Sequence, residues 1–235
     1  MTNDLLMNNF AIRCFRDNAD EDYISARLAF RAALVTPSLW ASQQAVEKYL
    51  KCILLLNRIR ATGVYHDLVK GLNAIESSGK LVLGLTSLTR NFIEYLDEFG
   101  LYRYLEISNV AFGQNLVRLD RAVWELRRYC TLSDEPKKFK LRSGVIPPKI
   151  RIPGGYLEEV MDDVKSPARE PLLWSNAFFG KRQRRRVRTV GWIKATNSPL
   201  YINPEILEDI MQYVYLPKGI ADGYRAHKKL RCAIG

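Results

Sequence analysis

Proline is spread so unevenly along this chain that it sets what each part can fold into. Of the ten prolines in 235 residues, only Pro37 precedes residue 136, and the other nine run from Pro136 to Pro217. A proline inside a helix removes a backbone donor and clashes with the preceding turn. The first 135 residues can therefore form long helices, while the rest is cut into short pieces. Charge divides at the same place. Up to residue 136 there are 16 Lys and Arg against 16 Asp and Glu, whereas Lys137 onward carries 20 against 9, the whole of the net +11. Two independent features thus predict a helical domain over residues 1–134 and a basic, proline-rich region over 135–235.

Apolar residues recur at helical spacing through the first part. Residues 19–35 carry Ile24, Leu28, Ala32 and Val35 on one face, with acids in the first turn. Thr36 and Pro37 read as the cap and first residue of a second helix. Its Leu39, Val46, Leu50, Ile53 and Leu54 make a face wide enough for the centre of a core. Leu68, Leu72 and Ile75 mark a third helix, and Leu88, Phe92, Tyr95 and Phe99 a fourth over 86–99 that stops at Gly100. Leu116, Leu119, Val123, Leu126 and Cys130 mark a fifth over 110–131. The predicted fold is mainly α, an up-and-down helical bundle. In the extension, short helices are expected at 155–163 and after Asn203-Pro204, and VRTVGWIKA and SPLYIN as the strands of a small β-hairpin. LRSGVIPPKIRIPGG reads as an extended arm crossing a neighbouring surface.

With 47% hydrophobic and 26% charged residues the composition is that of a folded globular protein. No apolar run approaches the roughly 18 residues of a membrane span, and acids stand where a signal peptide has a basic end, so the expected location is cytoplasmic. Cys14, Cys52, Cys130 and Cys232 form no CxxC and are expected as reduced thiols. Two histidines, His66 and His227, exclude a site built on several imidazoles, and no metal or cofactor is expected.

Three segments, QQAVEKYLKCILL at 43–55, His66-Asp67-Leu68 after a glycine loop, and LYRYLEIS at 101–108, resemble the HEPN domain, the higher eukaryote and prokaryote nucleotide-binding fold. The resemblance covers about residues 18–131. It implies a helical bundle that often dimerises, in a family of RNases, nucleotide binders and non-catalytic RNA-binding or assembly modules. The family's RNases pair an Arg with a His that follows after four to six intervening residues, at a dimer cleft near the late helices. Arg60 and His66 have five residues between them and are the candidate catalytic pair, but they fall between the second and third helices. In the late helices Arg90-Asn91 is followed by FIEYLDEFG, without the imidazole that metal-independent cleavage uses near neutrality. His66 therefore reads first as a loop or helix-start residue. Lys48, Lys51 and Arg103 are candidates to hold an anion or nucleotide, although Glu47 and Lys51 at i, i+4 also read as a surface ion pair. Tyr102 and Tyr104 would stack a base or pack.

The densest signal lies later: Lys181, Arg182, Arg184, Arg185, Arg186 and Arg188 within eight positions, bracketed by Trp174, Phe178, Phe179 and Trp192. Such guanidinium density fits a phosphate backbone, where ion release supplies affinity and aromatics stack bases. The expected function is a non-catalytic nucleic-acid-binding or assembly protein. The expected partners are RNA or single-stranded DNA and a homodimer or larger complex, with no membrane. The alternatives are a HEPN-type RNase toxin or defence effector, and a scaffold for an acidic protein.

Overall fold

The computed structural model describes residues 3–60, 63–100, 109–131, 154–180, 193–196, 202–213, 215–216 and 218–234. The chain opens with α1 (Asn3–Phe10), continues through a π-helical stretch (Ala11–Asp17) and passes directly into α2 (Asn18–Arg31). Helical structure thus begins well before residue 19. Helix α2 ends in a left-handed turn, with Ala33 at φ +57° and the Leu34 N–H donating to Ala29 O at 2.8 Å. Helix α3 (Val35–Leu56) starts one residue ahead of the expected cap, so Pro37 falls in its first turn, where a missing N–H leaves no intrahelical bond unmade. It stops by the same device, with Arg58 at φ +51° and Ile59 N–H on Leu54 O at 2.8 Å.

Helix α4 (Leu68–Ser77) is capped by the Asp67 carboxylate, which accepts from Lys70 N–H at 2.7 Å. Helix α5 (Ser87–Gly100) is preceded by Thr86, whose hydroxyl oxygen accepts from Thr89 N–H at 3.3 Å. Then come β1 (Asn109–Phe112), α6 (Asn115–Arg127), α7 (Tyr156–Asp162), α8 (Arg169–Leu173) and β2 (Ile193–Thr196). A 3-10 turn (Pro204–Ile206) leads into α9 (Leu207–Met211), and α10 (Lys218–Ile234) closes the order. The fold is mainly helical, as the spacing of apolar residues predicts.

Helix α3 packs against α2, α4, α5 and α6, which makes it the centre of the bundle. Its Val46, Leu50, Ile53 and Leu54 are buried, as are Leu68, Leu72, Ile75, Phe92, Leu116, Leu119, Val123, Leu126 and Cys130. Leu28 and Leu88, assigned to inner faces, are instead 47% and 54% exposed. The reason is a rotation of each stripe. Helix α2 turns Tyr23, Arg27 and Phe30 inward, and α5 turns Phe92, Ile93 and Leu96 inward.

The core does not stop where composition changes. Leu157, Val160, Leu172, Phe178 and Phe179 bury themselves in the same cluster as the bundle helices. A polar clamp accompanies them. Arg127 donates from Nε and Nη2 to the two oxygens of Asp20 at 2.7 and 2.8 Å, and from Nη1 and Nη2 to Glu158 at 2.8 and 2.7 Å, all out of solvent. Tyr49 donates its hydroxyl to Asp20. Further along α2, Arg27 donates to Asp120 and to the carbonyls of Pro171 and Trp174, while Tyr23 donates to Asp120 at 2.6 Å. Asn176 spans the seam, giving Nδ2 to Tyr23 and receiving Phe178 and Phe179 N–H on Oδ1. A Cβ at Gly155 would lie 2.3 Å from Glu158 Oε2 and 2.6 Å from Arg127 Nη2, so a larger residue there displaces the ends of the clamp.

The strand expected in VRTVGWIKA forms over Ile193–Thr196, but its partner is β1, antiparallel with Val110 opposite Ala195 and Phe112 opposite Ile193. Of SPLYIN, residues 198–201 lie outside the described residues, as does the arm up to residue 153. Among the described residues no helix is long and apolar enough to cross a membrane, and all four cysteines are free thiols.

Arg127→Leu leaves two carboxylates buried without their cation, and urea unfolding is expected to find it about 3–5 kcal/mol less stable than wild type. Alkaline pH supplies a second check. Burial pushes the Tyr95 hydroxyl up to about 12, against about 10 in an unfolded chain. Because the folded value is the higher one, the stability this tyrosine confers is intact below pH 10 and lost as pH rises through 12. Tyr95→Phe is expected to make the fall in stability between pH 10 and 12 shallower by about 2 kcal/mol, measured by denaturant titration at each pH.

Candidate functional site

On α3, Glu47 and Lys51 stand one turn apart and bond at 2.6 Å. The pair is not a surface one. The Glu47 side chain is only 8% exposed, because the loop leading into α4 folds across it and sets His66 Nδ1 3.0 Å from the same carboxylate oxygen. His66 itself is 68% exposed. Lys48 crosses to α2 and donates to Asp22. At the start of α4 the Asp97 carboxylate of α5 accepts Leu68 N–H, and burial pushes its pKa up. For Asp67 burial pushes the same way, but the bonds from Lys70 outweigh it and leave the carboxyl lowered.

Each cation of the α3 group is therefore matched. Lys51 is bonded to Glu47 and Lys48 to Asp22, and His66 lies against the same Glu47 carboxylate. Arg60 is exposed and makes no bond to His66 among the described residues. Arg103 with its flanking tyrosines, and all of Lys181, Arg182, Arg184, Arg185, Arg186, Arg188 and Trp192, lie outside the described residues. Of the aromatics before the basic run, Phe178 and Phe179 are seated in the core, and Trp174 lies under the Arg31 guanidinium at 5.4 Å.

A second group, not singled out by sequence, lies along α6. Arg121 stacks on Phe178 at 5.4 Å, Phe178 packs on Trp124 at 5.8 Å, and Arg128 covers Trp124 at 4.8 Å and Tyr129 at 5.5 Å. The available signal was the recurrence of arginine at 118, 121, 127 and 128 in NLVRLDRAVWELRR. The domain's evenly balanced charge concealed it.

The bundle centred on α3, entered by a His-Asp-Leu turn that closes over a glutamate, has the helical architecture anticipated from residues 43–55 and 66–68. The family model of the HEPN domain matches residues 12–108, the stretch that contains the segments resembling that family. No curated protein and no solved structure matches the chain. The match ends ahead of α6, so the helix that carries Arg127 and the α7–α8 segment complete the core from outside the matched stretch.

His66→Ala is expected to leave stability within about 0.5 kcal/mol of wild type, as for an exposed side chain. Asp67→Ala, which removes the α4 cap, is expected to cost about 1 kcal/mol. Urea unfolding of the two variants side by side checks this contrast.

Proposed function

We propose that this chain is a non-catalytic nucleic-acid-binding protein in which the HEPN domain is the rigid holder and the arginine run after Gly180 grips a phosphate backbone without reading sequence, within a homodimer or larger complex. One observation carries the reading. Some of the carboxylates of the basic part that could neutralise the run are engaged elsewhere: Glu158 by Arg127, Glu170 by Arg31, and Glu208 and Asp222 both by Arg225. Four of its nine acids are thereby committed, while 20 cations share that part of the chain. Phe178 and Phe179, just ahead of the run, are seated in the core of the bundle. The non-catalytic part rests on position: Arg60 and His66 lie between α3 and α4 rather than in the late helices, and make no bond to each other among the described residues. Exposed Leu28, Leu34 and Leu88 offer apolar surface for assembly.

Filter binding with single-stranded RNA and DNA at two salt concentrations tests the reading, with wild type compared to Arg184, Arg185 and Arg186 all changed to alanine. The triple variant is expected to bind at least about tenfold more weakly, with a salt dependence shallower by about 2 in log–log slope. Labelled tRNA incubated with wild type is expected to stay intact. Unchanged affinity in the triple variant would overturn the binding role, and cleavage would overturn the non-catalytic one.

A further inference from the structure

Helix α6 sorts its charges around its own axis. Both of its carboxylates are buried and occupied: Asp120 by Arg27 and Tyr23, and Glu125 by the backbone and hydroxyl of Thr86 at 2.8 and 3.0 Å. Arg127 is buried between Asp20 and Glu158. The other three arginines of this stretch have no carboxylate partner among the described residues. Arg118 and Arg121 are partly exposed and make no ion pair there. Arg128 is buried over Trp124, with Nε on the Glu125 carbonyl at 2.9 Å and no acceptor for Nη1. The nearby Glu125 carboxylate acts on this charge but is bonded to Thr86, so the guanidinium is incompletely balanced and its field reaches past the ring that covers it.

Positions 118, 121 and 128 are three and seven residues apart and so lie along one side of the helix, over a span of about 15 Å. Phe178, the ring beneath Arg121, is three residues ahead of Lys181, where the arginine run begins. We propose that this side of α6 is a second phosphate-contacting surface for single-stranded polynucleotide, with Arg118 and Arg121 as the contacting cations and Arg128 as the buried charge behind them. The inference rests on the nucleic-acid reading of that run and adds to it a site within the domain whose total charge is zero. Uncompensated guanidinium beside a half-exposed Trp124 suits phosphate with an occasional stacked base.

The test uses the full chain with both arginines changed, Arg118→Gln and Arg121→Gln, beside a charge-keeping pair, Arg118→Lys and Arg121→Lys. Fluorescence anisotropy follows labelled single-stranded RNA and DNA at two salt concentrations, and thermal melting checks the fold. The Gln pair is expected to melt as wild type, to bind about three- to tenfold more weakly, and to lose about 1.4 from the salt slope, about 0.7 for each lost phosphate contact. The Lys pair should recover most of the affinity, and the strand whose affinity falls identifies the ligand as RNA or DNA. Should the double variant melt early, Arg121→Gln alone is measured, with half the slope change expected. If the Gln pair binds as wild type while the alanine triple of the run loses binding, this surface is refuted and the role of the run stands. Wild type that binds neither strand overturns both. Poly-glutamate that displaces the polynucleotide equally well per charge would assign the surface to an acidic polypeptide and overturn the proposal.

Discussion

A single guanidinium, buried between one carboxylate of the helical part and one of the basic part, joins what composition separates. Arg127 of α6 holds Asp20 of α2 and Glu158 of α7, and both partners are out of solvent. Burial alone would disfavour all three charges. At Asp20 it pushes the carboxyl up while Arg127 pulls against it, and at Arg127 burial opposes a charge that Asp20 and Glu158 more than restore. Such a cluster adds little net stability over well-packed apolar groups, but removing one member is costly. Its contribution is position: planar, two-pronged bonds accept one arrangement of the three helices and penalise the rest.

Position matters because the α7–α8 segment leads directly into the arginine run. That segment is held at its start by Glu158 on Arg127 and at its end by Asn176, Phe178 and Phe179 on Tyr23 and Trp124. The basic run leaves from that second anchor. The same docking uses up acids of the C-terminal part and faces of α2 and α6, so it sets which cations remain unmatched. Charge balance over the first 136 residues says nothing about this, since a helix can be neutral in sum and positive on one side.

Much of the bundle was legible because its helices have strict apolar spacing and bury one face each. The inner residues of α3, α4 and α6 follow from that spacing, and Asp67 before Leu68 is a local cap. Leu28 and Leu88 were misplaced because α2 and α5 point different faces inward, a choice that belongs to the neighbours they pack against. Helix α1 was missed because its polar asparagines blur the period, and α10 because its positive charge reads as a tail before it reads as a helix. Glu47 looked like half of a surface pair, since i, i+4 spacing cannot tell that another loop will cover it.

The amino-acid sequence by itself determined where helices form and break, through apolar period, proline and local caps, and it carries the match to the HEPN family model within residues 12–108. These are properties of neighbours a few residues apart, which the chain states directly. Tertiary structure alone decided that α7 and α8 belong to the bundle's core, that β2 pairs with β1, and that Arg127 is buried while Arg118 and Arg121 are not. Asp20 and Arg127 are 107 residues apart. Nothing local marks such partners, because burial and pairing depend on which surfaces meet, and that is fixed only when the whole core closes.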